Sequence, residues 1–154
     1  MLQNFNHLFS SFSSESRVWV YTSNRELTIE EVEFASTELS NFVATWNAHG
    51  KVLNADSMVL FNRFLILTVD ERFAAASGCS IDSSVKVVKF LGQKLKIDFF
   101  DRLKIYIEKE SEFKRIPFSD LKSFSDWNYF NPMIISLGEL RTDWYSSVKE
   151  SAFS

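Results

Sequence analysis

The stretch SMVLFNRFLILTV, residues 57–69, decides how the chain folds. It holds two apolar runs, Ser57–Phe61 and Phe64–Val69, parted by Asn62 and Arg63. Short runs rich in Val, Ile, Leu and Phe form half-buried or buried strands, and Asn tolerates the positive φ of a tight turn. The spacing predicts an antiparallel hairpin. A helical pattern flanks it on each side. Upstream, Thr28 is followed by Glu31, a capping box in which each side chain meets the other's free backbone N–H. Ile29, Val32, Ser36, Leu39, Val43 and Trp46 then fall on one helical face. That helix is expected to end at Asn47–Gly50, with Gly50 as its left-handed cap. Downstream, Ser80 or Asp82 is expected to open a second helix, with Ile81, Val85, Val88, Gly92 and Leu95 inward. Glycine costs about 1 kcal/mol in a helix interior, so Gly92 on the apolar face predicts close packing against a sheet.

RVWVYT (17–22) precedes the first helix and reads as a strand. Arg102–Glu108 and Glu112–Pro117 follow the second and read as another hairpin. The order β-α-β-β-α-β predicts an α+β protein with a ferredoxin-like core, an extra hairpin strand and a C-terminal helical extension. The extension is aromatic, and Ser136 with Glu139 predicts a helix from Leu137 to about Val148. Residues 1–16 are set apart as an N-terminal arm or short helix, because Leu2, Phe5, Leu8, Phe9 and Phe12 share one face. Residues 17–154 are expected to form a single domain, since 154 residues suffice for one core.

Charged residues make up 24% and hydrophobic ones 45%, the balance of an ordinary globular chain. A net charge of −3 supplies no overall basic character, so neither nucleic acid nor an anionic membrane is an expected partner. No apolar run reaches the length of a membrane span, and the N-terminus lacks the basic and apolar regions of a signal peptide. The one cysteine cannot form an internal disulfide, which points to the reducing cytoplasm. Charge is uneven along the chain. Residues 26–48 carry five Glu and no Lys or Arg, while 86–115 carry nine Lys or Arg against five acids. An acidic first helix and a basic second helix are therefore expected side by side on one face of the sheet.

ASGCSID (76–82) places that only cysteine beside one of just four glycines. The expected topology brings the end of helix one, the end of the second hairpin strand and the start of helix two to one sheet edge. The segments are 46–50, 70–71 and 77–82. Ser77, Gly78, Ser80, Asp82, Asp70 and Glu71 would there line a binding site for a small molecule or anion, using free N–H groups and hydroxyls. A thiol-dependent enzyme is an alternative. Cys79 at the helix start would be the nucleophile, His49 its base, and Asp70 or Glu71 would orient the imidazole. A non-catalytic homodimer or protein-interaction module is a third possibility. No cofactor is expected, because the chain has no G-x-x-x-x-G-K-[ST] or G-x-G-x-x-G. No metal is expected either, since two His and one Cys give no zinc spacing.

FVATWNAHG (42–50), FNRFLILTVDE (61–71) and ASGCSIDSSV (76–85) resemble a small uncharacterised bacterial family, as does Phe130–Asn131 followed by Leu140 and Trp144. Automated labels often call that family "ABC transporter ATPase". The resemblance spans residues 17–151 and implies shared descent. It brings no activity with it, and the absent phosphate loop excludes ATPase chemistry of the Walker type.

Overall fold

A computed structural model describes residues 5–151. The chain is mixed α and β, and it divides into two compact units, Glu15–Phe100 and Met1–Ser14 with Asp101–Ser154. The N-terminal segment set apart from the sequence thus groups with the C-terminal third.

In Glu15–Phe100 the central strand is β5, Phe64–Val69, buried at all six positions. It pairs antiparallel with β1, Arg17–Thr22, on one side and β4, Ala55–Leu60, on the other. The β4–β5 hairpin forms as expected. Its turn is placed one residue earlier, with Phe61 and Asn62 both at positive φ. Helix α1 runs Ile29–Thr45 behind the Thr28/Glu31 capping box. Helix α2 runs Gly78–Leu95 behind a Ser77/Ser80 capping box. Both helices pack on Leu65, Leu67 and Val69, the alternate residues that share one face of β5.

The helices lie side by side as their charges suggested, but no ion pair joins them among the described residues. Phe34 meets Phe90 across them instead, at a ring separation of 6.5 Å. Apart from Glu31, which pairs with Arg25, the acids of α1 and the lysines of α2 lie partly or fully exposed to water, where an ion pair is worth about 1 kcal/mol or less.

The ferredoxin-like sheet is not completed. Its first three strands stand in the ferredoxin order, β1-β5-β4, but the expected fourth strand pairs elsewhere. This strand, β6 (Lys104–Lys109), belongs to a second sheet with β7 (Glu112–Pro117), β8 (Asn128–Phe130) and β9 (Tyr145–Ser147), in the order β7-β6-β8-β9. The expected C-terminal helix is correspondingly short. Helix α3 spans Leu137–Thr142 behind the Ser136/Glu139 box, and the next residues turn extended to pair with β8. Trp144 and Tyr145 suit a pleated surface, Ser146 and Ser147 add no strong helical preference, and the waiting edge of β8 decides the matter.

On one face of this second sheet Ile105, Ile107, Ile116, Leu121, Tyr129 and Val148 form a core. On the other, Phe113 stacks on Phe130, which packs against Trp144 and through it Phe5. Glu108 is buried on that face. Tyr145 Oη donates to one carboxylate oxygen at 2.7 Å and the Ser111 N–H to the other at 2.8 Å. Burial and the Glu108 bond hold the Tyr145 hydroxyl protonated well above the usual phenol range. Phe5, Leu8 and Phe9 are buried, as the sequence pattern required, although 5–12 forms turns rather than a regular helix. Leu2 lies outside the described residues.

Gly50 does adopt positive φ, but with His49 it forms the turn of a small hairpin between β2, Asn47–Ala48, and β3, Lys51–Val52. Helix α1 has already ended at Trp46. Gly92 marks a close approach, though not to a sheet. A Cβ there would lie 2.7 Å from the carbonyl oxygen of Ile97, where the chain folds back past the left-handed cap at Lys96. The buried stripe of α2 also shifts, to Ser80, Ser84, Val88 and Leu91. Small hydroxyl residues can face inward because each meets a nearby carbonyl, Ser80 that of Ser77 and Ser84 that of Ile81.

The Glu31 carboxylate ties the start of α1 down. Both its oxygens take hydrogen bonds from Arg25, and one also takes the Thr28 N–H, which lowers its pKa from 4.5 to about 2. A carboxylate whose pKa is depressed on folding stabilises the native state above its unfolded pKa and loses that contribution as pH falls. Acid titration should therefore reduce stability between pH 4.5 and about 2. Glu31→Gln should flatten that part of the pH–stability curve, and an unchanged curve would show that Glu31 contributes nothing there.

Candidate functional site

The three segments expected at one sheet edge do meet. The indole N–H of Trp46 donates to the Ser80 carbonyl at 2.8 Å, joining the end of α1 to the first turn of α2. The Leu53 N–H returns to the Trp46 carbonyl, and the Asp70 N–H donates to the Asn54 carbonyl. Glu71 accepts the Ala76 N–H at 2.8 Å, closing the loop between β5 and α2.

Within this frame the side chains are arranged differently from the thiol-enzyme expectation. His49 sits exposed at the tip of the β2–β3 turn. Cys79 is exposed in the first turn of α2. Neither side chain makes a hydrogen bond among the described residues. Asp70 does not reach an imidazole. It is buried, and Arg72 binds it in a fork, Nε to Oδ1 at 2.9 Å and Nη2 to Oδ2 at 2.6 Å. Those bonds and the Asp70 charge push the Arg72 guanidinium pKa up further. Glu71 likewise faces a cation, Arg17 Nε at 3.9 Å, besides its bond to Ala76.

Ser77 and Ser80 satisfy one another across the capping box, N–H to hydroxyl in both directions. Ser77, not Ser80 or Asp82, is the cap, so the helix begins earlier than expected and Gly78 and Cys79 are its first two residues. Their N–H groups precede the intrahelical ladder, and both residues are exposed. Gly78 needs no left-handed conformation, and a Cβ there would meet nothing within 4 Å. The glycine thus leaves the helix start open without being required for the turn. Asp82 points to solvent one turn further on.

Sequence reasoning named the acids of this edge and missed the cations that hold them, Arg72 and Arg17. The signal was present in Asp70-Glu71-Arg72, since an arginine two residues after an acid at a strand end can fold back on it. Trp46 was placed on the buried face, but its indole bond to α2 had no signal in the sequence.

A separate surface depression of about 700 Å³ lies in the other unit, lined by Tyr129, Asn131, Asp143, Tyr145, Glu150 and Ser151 among others. No cluster of three or more His, Cys, Asp or Glu side chains positioned to hold a metal ion occurs among the described residues. No described helix is long and apolar enough to cross a membrane. No family model, curated protein or solved structure matches the chain.

Proposed function

We propose that the chain is a cytoplasmic binding protein that takes a small anion, a phosphate or carboxylate group, at the edge formed by 46–50, 70–71 and 77–82. The observation that carries this is the neutralisation of the edge. Asp70 and Glu71 would repel an anion, but Arg72, Arg17 and the Ala76 N–H already occupy them. What remains outward is the exposed start of an 18-residue helix, with the Gly78 and Cys79 N–H groups and the half-exposed Arg72 guanidinium nearby in sequence. Helix N-termini attract anions through their unpaired N–H groups and dipole.

Titrating the protein with inorganic phosphate and with succinate, read by amide NMR, should shift the Gly78 and Cys79 signals saturably. Arg72→Gln should weaken the binding by at least about tenfold, because it removes a charge-assisted donor and leaves the Asp70 carboxylate unneutralised beside the site. Shifts that never saturate, or equal binding by the variant, would refute the site.

A second reading, an interface with another protein or a second copy, is favoured by Val52 and Phe73. They are 63% and 69% exposed in segments that lead into and out of the same edge. Exposed large apolar residues mark interaction surfaces when they are contiguous. Concentration-dependent dimerisation abolished by Phe73→Ser would support this reading over the first.

A further inference from the structure

The second sheet carries a feature that the edge site does not involve. Lys114 lies on β7, an edge strand, and its side chain is exposed. Its Nζ stands 5.6 Å from the Phe124 ring centroid and 5.5 Å from that of Trp127. The two rings are perpendicular, with centroids 6.1 Å apart. The ammonium therefore sits evenly in an aromatic corner. The corner is rigid for two reasons. A turn closed by the Trp127 N–H on the Phe124 carbonyl, at 3.0 Å, fixes the spacing of the residues. Both rings are half-buried and rest on the core of this sheet.

We propose that this Phe124–Trp127 corner is a recognition site for methylated ammonium groups, with Lys114 as a built-in competitor. Among the described residues Lys114 makes no ion pair and no hydrogen bond, so what holds its ammonium at this seat is the two π faces. A primary ammonium is poorly matched to such a seat, because its three N–H groups must stay in water. A methylated ammonium has fewer N–H groups or none, spreads its charge over methyls and gives up less hydration on entering. Aromatic corners bind such cations through the ring quadrupole, and the chain's own lysine shows that a cation fits. Because Lys114 is exposed and on an edge, it can swing out without disturbing the core.

The test follows the Trp127 indole N–H by NMR in wild type and Lys114→Ala. The ligands are choline, a peptide bearing trimethyl-lysine, and dimethylbutanol, the neutral carbon isostere of choline. Saturable shifts are expected with both methylated cations. Lys114→Ala should bind about tenfold more tightly, because a tethered competitor acts at high effective concentration. The neutral isostere should bind about tenfold more weakly, because it lacks the charge. A peptide that binds more tightly than choline assigns the site to a modified protein tail, and equal or weaker binding assigns it to a free small cation. Phe124→Leu, checked for folding by circular dichroism, should abolish the choline shift. No saturable shift with either cation in Lys114→Ala would overturn the proposal. So would an isostere that matches choline, or binding that survives Phe124→Leu.

Discussion

Replacing Arg141 with alanine should destabilise the unit that contains it by about 3 kcal/mol, the loss of several hydrogen bonds to a charged donor together with the carbonyls left unpaired. Arg141 on α3 is the tie that holds the N-terminal segment. Its Nη2 donates to the carbonyls of Leu8, Phe9 and Phe12 at 2.9–3.2 Å, and its Nη1 to the Ser14 hydroxyl at 3.0 Å. The segment so held buries Phe5, Leu8 and Phe9, with Phe5 edge-on to Trp144 at 5.4 Å. A second tie is the Gly138 N–H on the Ser14 carbonyl, where a Cβ would come within 3.1 Å of that oxygen. The Arg141 effect should be read by denaturant unfolding and by amide exchange at Leu8 and Phe12, whose N–H groups close turns within the segment. Arg141→Lys should recover part of the loss, because one ammonium replaces the charge but not the fork of donors. Unchanged exchange at both amides in Arg141→Ala would show that the apolar contacts and the Gly138–Ser14 bond hold the segment without Arg141.

Trp46→Ala should cost about 4 kcal/mol, the usual scale for removing a buried indole. Trp46 is 2% exposed, packs against Trp19 and Phe42 at 5.7 and 5.0 Å between centroids, and donates to Ser80. Trp46→Phe separates the two contributions. It keeps a ring in the site but loses the donor and part of the indole volume, and should cost about 2 kcal/mol, the unpaired Ser80 carbonyl together with the smaller ring. In both variants the first turn of α2 should exchange faster at Ser80 and Ile81, since its tie to α1 is gone. A Phe variant as unstable as the Ala variant would place the anchoring in the hydrogen bond rather than in the ring. Stability unchanged in both would remove Trp46 as the link between the segments of the candidate site.

The meeting of the candidate site's three segments was legible in the sequence, and the partners of their side chains were not. The segments meet because hairpin and helix order constrain where strand and helix ends fall, and that order can be read from periodicity. Which side chains face one another cannot be read that way. His49 and Cys79 were paired from residue type. The chain instead places His49 at a hairpin tip and leaves Cys79 open to solvent. Asp70 or Glu71 is expected to orient the imidazole, but Asp70 is held by a nearer and stronger partner, the Arg72 fork, and Glu71 accepts the Ala76 N–H.

What the sequence determined by itself are the features whose hydrogen bonds close within a few residues. The Thr28/Glu31 and Ser136/Glu139 capping boxes, the β6–β7 hairpin and the apolar stripe of α1 at Leu39 and Val43 stand where local spacing put them, and the β4–β5 hairpin does so with its turn one residue earlier. Tertiary structure decided what depends on a distant partner. Strand β6 joins β7 and β8 rather than β1, and residues 145–147 leave a helical pattern to pair with β8. Arg141 gathers carbonyls from the other end of the chain. A strand presents unpaired N–H and C=O groups along its edges, and periodicity says which face is buried but not which edge will be met. That choice belongs to the whole packed chain, where the edge that satisfies the most backbone groups and buries the most aromatic surface wins.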